Sequence, residues 1–394
     1  MILFLHVIFW ISVIALFQTY VFFPIILQFL AKGKTQNENI YDLENKQNLP
    51  KVSILLAAYN EEQVIEEKIL TTFNTKYPLD KIEFWIGSDA SSDKTDEIIK
   101  KYQVEYPQLK LKVFPGRTGK AGIVNDLSSQ ASNEIFLLTD ANVFFDENTI
   151  FELVKHYKNE EIALVGGNIL NQIVKKDGIS HQEKTYLQRE NIMKYQEGII
   201  WGTMIGAFGG VYSIRKEYYA PVPPRFFMDD FYITMNALEK GGKAVNELNA
   251  VCYEDVSNKI SEEFRRKVRI SIGNFQNLGR YKKLLLPITK GLSFSFLSHK
   301  VLRWYGPFFI LLALLTSGIL AYQQTSYYNY LFYAQLGLML IPIFDAVLRK
   351  IKIHLFGFRF ISHFYLMNLA LLIGFFKYVN GVKSNIWTPT QRFQ

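Results

Sequence analysis

One cysteine, Cys252, is the entire thiol content of this 394-residue chain. That scarcity excludes an internal disulfide framework and suits the reducing side of a membrane. Charge is missing from three stretches: Met1–Ala31, Trp304–Phe344 and Phe360–Phe376 contain no Lys, Arg, Asp or Glu. An uncharged apolar run of about 20 residues is long enough to cross a bilayer core. The first run lacks a basic start and a small-residue cleavage site and is too long for a signal core, so it reads as an anchor. Zinc-ligand spacing, a nucleophilic triad and internal repeats are also missing from the sequence.

These gaps divide the chain. Residues 1–31 are expected to form an N-terminal transmembrane helix, and residues 32–49, rich in Asn, Gln and Glu, a linker. Residues 304–383 hold about three further transmembrane helices: the second uncharged run fits two spans joined by Gln323–Asn329, and the third reaches about Tyr378. Residues 286–303 mix apolar and basic side chains and read as an interfacial segment or an ordinary span entry. Residues 384–394 are a tail.

Lys32 and Lys34, Lys300 and Arg303, and Arg349, Lys350 and Lys352 flank the spans and place the polar middle in the cytoplasm. Lys377, Lys383 and Arg392 conflict with that count if the last run crosses fully. The expectation is a multi-pass protein of the cytoplasmic (inner) membrane. The formal charge of +8 gathers at these edges and in Arg265–Arg269. It points to a bilayer surface or a diphosphate and not to nucleic acid.

The middle alternates strand and helix patterns. "VSILLAAYN" (52–60), "IEFWIGSDAS" (82–91), "LKLKVFPG" (109–116) and "EIFLLTDAN" (134–142) read as strands. Helical spacing separates them in 61–73, 94–103 and 119–130. The fold class expected is α/β, a mostly parallel Rossmann-like sheet with helices on both faces. Glu61, Asp89 and Asp140 each follow a strand, and ligands of such sheets bind beyond the carboxyl ends of the strands. Capping of turns is the plainer role for any one of these acids. Asp229 and Asp230 open a later apolar-periodic helix, a place its dipole alone would favour.

The motifs "AAYNE" (57–61), "SDASSDKT" (88–95), "GKAGIVN" (119–125), "TDAN" (139–142), "GAFGGVYSIR" (206–215), "MDDF" (228–231), "EFRRKVRISIGN" (263–274) and "SHKVLRW" (298–304) stand in a telling order. With them the chain resembles the membrane-bound family 2 inverting glycosyltransferases, the group of cellulose, hyaluronan, chitin and poly-N-acetylglucosamine synthases. The resemblance implies a cytoplasmic nucleotide-diphospho-sugar transferase domain of the GT-A type over residues 50–285, flanked by transmembrane helices. It implies a UDP-sugar donor held by Ala58, Tyr59, Glu61, Asp89, Lys120, Asp140, Arg266 and Arg269. Asp140 and Asn142 would take Mg²⁺ or Mn²⁺, with Asn142 where an Asp-x-Asp motif has its second carboxylate. Asp230 would be the catalytic base, and Asp229, Trp201 and Gly206 would lie toward the acceptor.

One departure bears on the product. Polymerising members carry Gln-x-x-Arg-Trp, and the aligned residues here run from Arg266 to Ile270, with Arg269 kept. Isoleucine offers no flat stacking surface. Transfer to a growing polysaccharide or cell-surface glycan therefore stands beside transfer of one sugar to a lipid acceptor, such as a polyprenyl phosphate or glycerolipid. A non-catalytic membrane scaffold is the remaining alternative. The donor sugar, the linkage and any partner subunits are not legible.

Overall fold

The computed structural model describes residues 1–171, 180–254, 260–323, 327–351, 353 and 355–382. Lys352, Lys383, Arg392 and the 384–394 tail, on which expectations above rest, lie outside the described residues. The chain separates into two compact units: the first is Leu27–Asn258, the second Met1–Ile26 with Lys259–Gly381.

The first unit is an α/β layer structure around an eight-stranded sheet. Its strands are β1 (Val52–Ala58), β2 (Ile82–Ser88), β3 (Leu109–Val113), β4 (Ile135–Thr139), β5 (Val143–Phe145), β6 (Ile162–Asn171), β7 (Val211–Arg215) and β8 (Lys243–Glu254). They lie in the order β3-β2-β1-β4-β7-β6-β8-β5. β1 pairs in parallel with β2 and β4, and β2 with β3. β7 runs antiparallel to β4, so its start lies at the edge where β1, β2 and β4 end. The apolar runs of β1 and β4 are almost wholly buried, as strands covered on both faces must be.

Six helices accompany the sheet: α1 (Ile65–Phe73), α2 (Thr95–Gln103), α3 (Lys120–Gln130), α4 (Thr149–Val154), α5 (Ser180–Trp201) and α6 (Asp229–Glu239). α1 buries Ile65, Ile69 and Phe73 and carries Glu66 and Glu67 in its first turn, where the dipole favours them. The linker is pinned. Tyr41 N donates to Lys155 O at 2.9 Å, and Gln36 Nε2 to Asn246 O at 3.1 Å.

Helices within Ile2–Ala31, Gly306–Gln323, Tyr327–Lys350 and Phe356–Val379 are long and apolar enough to cross a membrane. The segment 286–303, expected to be interfacial or a span entry, runs from Gly291 into a continuous helix that reaches Trp304, with a wide π turn at Phe296–Val301. The helix Ile260–Tyr281, placed by sequence within the 50–285 domain, packs on Phe356–Val379. Gly374 permits the approach: an added Cβ there would stand 2.3 Å from Ser271 Cβ.

Candidate active site

The turns that end β1 and β2 use left-handed backbone at non-glycine positions, Asn60 (φ 53°) and Ala90 (φ 56°). Such conformations cost free energy and gather at functional sites. The two turns are tied together. Asp89 N donates to Ala58 O at 2.8 Å, Asn60 N to Ser91 Oγ at 3.2 Å, and Ser92 N to Asn60 Oδ1 at 2.8 Å. Glu61 follows, half-buried, with its N–H on Thr95 Oγ1 at 2.9 Å.

Asp89 is turned inward and only 3% exposed. It accepts from Arg117 Nε at 3.0 Å, Gly119 N at 3.1 Å and Thr118 N. The Arg117 guanidinium then lies 3.3 Å from the Tyr59 ring centroid. Asp89, one of the residues that the resemblance sets at the donor, holds a loop and an arginine in this structure. Tyr59 and Arg117 together present a flat cationic surface beside the end of β1. Arg117 escaped the sequence reading, although a lone basic residue between Gly116 and Gly119, just before a helix, was a usable signal.

The next strand end carries the charge cluster. Lys120, the first residue of α3, places Nζ 2.7 Å from Asp140 Oδ1, 3.6 Å from Asp229 Oδ2 and 3.4 Å from Gly209 O. Burial pulls the lysine down, but Asp140, Asp229 and Asp230 outweigh it and hold the ammonium well above its ordinary value. Asp230 is 8% exposed. Burial and the neighbouring Asp229 push its carboxyl up to about 6, against the opposing pull of Lys120. Met228, just before the pair, is itself left-handed (φ 59°).

Glycines let this cluster close. A Cβ on Gly209 would stand 2.9 Å from Asp230 Oδ2. Gly206 has φ +76°, and a Cβ there would meet the Phe231 ring at 2.5 Å. Gly206 therefore packs closely against Phe231, next to Asp230. Trp201 is half-buried at the end of α5.

Asn142 is 4% exposed, and its Nδ2 donates to Glu254 Oε1 at 3.0 Å, which leaves the amide oxygen as its ligand atom. Asp140 is about one-third exposed. Among the described residues no three His, Cys, Asp or Glu side chains form a metal cluster. This donor set fits a hard cation only when ligand oxygens complete it. Arg266 and Arg269 lie on the Ile260–Tyr281 helix of the other unit, with Arg266 Nη1 3.4 Å from buried Glu263.

Lys68 is a second omission. It is fully buried against Thr139 and Val143, and burial pulls its ammonium down to about 7, partly opposed by Cys252 and Asp140. Its signal was position, since Ile65, Ile69 and Thr72 put residue 68 on the apolar face of α1.

Comparison with known proteins agrees with this geometry. The sequence model of Glycosyl transferase family 2 matches residues 53–219. The chain is 29% identical over 149 residues to the probable glycosyltransferase YdaM of Bacillus subtilis (strain 168), covering 37% of this chain and 34% of that one. It is 34% identical over 127 residues to a beta-monoglucosyldiacylglycerol synthase of Trichormus variabilis, covering 32% and 27%. To a poly-beta-1,6-N-acetyl-D-glucosamine synthase of Staphylococcus epidermidis it is 30% identical over 144 residues, covering 36% and 34%. The matches thus span about a third or less of these curated relatives. In structure, the mannosyltransferase PcManGT from Pyrobaculum calidifontis, solved with GDP-Man and Mn²⁺, shares the fold: TM-score 0.69, 19% identity, 94% of this chain and 99% of that one. The parallel strand ends, the Lys120–Asp140 pair and the matched sequence converge, and residues 53–219 are a glycosyl transferase family 2 domain of the GT-A-like α/β fold.

Proposed function

We propose that the protein is an inverting glycosyltransferase that moves a sugar from a UDP-sugar to a growing polysaccharide or cell-surface glycan at the cytoplasmic face of the inner membrane. The observation that carries this reading is Asp230. It is a buried carboxylate, raised toward neutrality, at the head of a helix beside the Lys120–Asp140 pair. A base poised near the working pH is what removal of a proton from an acceptor hydroxyl needs. As that proton passes to Asp230, the hydroxyl oxygen bonds to the anomeric carbon and the bond to the diphosphate oxygen breaks. Lys120 supplies positive charge to the departing diphosphate. Tyr59 and Arg117 offer the nucleoside a stacking surface, and Asp89 keeps that surface in place. Asp140 and the Asn142 oxygen would hold Mg²⁺ or Mn²⁺, which when bound neutralises diphosphate oxygens.

Ile270, in place of the tryptophan of polymerising members, favours a second reading in which one sugar goes to a lipid acceptor. Similarity to a beta-monoglucosyldiacylglycerol synthase supports the same reading. The deciding experiment supplies the detergent-purified protein with a panel of UDP- and GDP-sugars, Mn²⁺, and glycan or membrane-lipid acceptors, and follows nucleotide release. Release from one UDP-sugar, lost in Asp230→Asn, is expected, and product size and solvent partition separate glycan from lipid. If no donor turns over with any acceptor, a non-catalytic scaffold replaces both readings.

A further inference from the structure

Lys68 takes no part in the chemistry above, yet it occupies a fully buried place under the donor edge of the sheet. An ammonium buried there is costly unless it is hydrogen-bonded. Its Nζ donates to Thr139 Oγ1 at 2.9 Å and to Val143 O at 2.6 Å, and lies 3.5 Å from the Phe145 ring centroid. Thr139 and Val143 are the residues immediately before and after Asp140–Asn142. The chain of hydrogen bonds continues. Thr139 Oγ1 donates to Gly210 O at 2.9 Å, and the same carbonyl accepts from Asp140 N at 3.2 Å. Next to it, Gly209 O accepts from Lys120, and a Cβ built on Gly209 would stand 2.9 Å from Asp230 Oδ2. One ammonium therefore gathers the end of β4, the start of β5 and the start of β7. An apolar side chain of equal length would fill this space without desolvating a charge. What only the lysine provides is the pair of directed bonds.

We propose that Lys68 is a positioning residue that locks the Thr139–Val143 turn against Gly209–Gly210, so that Asp140 and Asp230 keep one mutual geometry before any ligand arrives. This rests on the donor reading of Asp140 given above. The test uses the full chain in detergent, with Lys68→Met, Thr139→Val and Thr139→Ser beside the unmodified protein. Two quantities are read: amide hydrogen exchange across 139–143 without ligand or metal, and calorimetric affinity for UDP with Mn²⁺. Lys68→Met and Thr139→Val are expected to exchange faster across the turn. They should also bind UDP–Mn²⁺ more weakly, on the order of tenfold or more, the usual cost of losing a group that orients a ligand-bearing residue. Thr139→Ser, which keeps the hydroxyl, should restore both. A Lys68→Met protein that melts like the unmodified one and retains its exchange and affinity overturns the proposal. If Lys68→Met does not fold, Thr139→Val decides by the same two readings. An unmodified protein that binds no UDP, or an Asp140→Asn variant that binds UDP–Mn²⁺ equally well, overturns the donor reading and this inference with it.

Discussion

Lys120 Nζ stands 2.7 Å from Asp140 Oδ1 and 3.6 Å from Asp229 Oδ2, so one ammonium bridges the end of β4 and the helix that carries the proposed base. It places a fixed positive charge where a divalent cation would otherwise sit beside Asp140. Like charges so close repel strongly at the edge of a protein. The ligand-free protein is therefore expected to bind Mn²⁺ weakly, and UDP to strengthen that binding by supplying oxygens. Lys120→Met should tighten ligand-free Mn²⁺ binding by about tenfold or more, since the competing cation is gone. Electron paramagnetic resonance of free Mn²⁺ measures this directly. Equal affinity in both proteins would remove Lys120 from the role.

Asp230, the proposed base, should set the pH dependence of transfer. A base works deprotonated, so kcat/KM should fall as pH drops through about 6, the value to which burial and Asp229 push this carboxyl. Lys120 lowers that value, so Lys120→Gln should move the acid limb of the profile to higher pH. Asp230→Asn should cut kcat by about 10²–10⁴-fold with little change in UDP affinity. An Asp230→Asn profile of unchanged height and shape would assign the base elsewhere.

Much of this was legible because β1, β2 and β4 are continuous apolar runs that end in polar residues, and parallel order brings those ends to one edge. β8 was not legible. Asn246, Glu247 and Asn249 interrupt its apolar pattern, and its pairing with β6 shifts register between Gly166 and Asn168. β5, three residues long, is too short for any periodicity to show. The packing of the helix Ile260–Tyr281 on Phe356–Val379 was not legible, because an amphipathic pattern shows that one face is covered without showing what covers it. Asp89 stands at its strand end as read, and the inward turn of its side chain was not legible because the motif carries no direction. Lys68 was missed because a lysine is read as exposed by habit, although its spacing from Ile65 and Ile69 said otherwise.

Gly209 offers a test of the base that leaves its chemistry intact. A Cβ at this position would meet Asp230 Oδ2 at 2.9 Å, closer than ordinary contact. Gly209→Ala must shift the carboxylate by a few tenths of an ångström or more, and small displacements of a reacting group are expensive. The variant should lose on the order of tenfold or more in kcat while its UDP affinity stays near that of the unmodified protein. An equal loss in both would mean that Gly209 shapes the donor turn and not the base.

Stability should depend on an acid at the opposite end of the sheet. Glu83, 7% exposed in β2, accepts from Lys110 Nζ at 2.7 Å, Ser132 N at 2.8 Å, Ser132 Oγ at 3.2 Å and Ser53 Oγ. Burial alone would raise its pKa. The bonds from Lys110, Ser53 and Ser132 outweigh that and hold it down at about 2. The folded value lies below the unfolded one, so the carboxylate stabilises the domain at neutral pH. That contribution is lost as pH falls from about 4.5 toward 2. Glu83→Gln removes the charge but keeps the shape, and should cost about 2–3 kcal/mol near neutrality, the scale for a buried charge-assisted network losing its anion. It should also flatten the acid dependence of the melting temperature between those pH values. The active-site edge does not contain Glu83, so kcat at low temperature should be unchanged. A variant as stable as the unmodified protein at pH 7 and equally acid-sensitive would show that these bonds are offset by the cost of burying the charge.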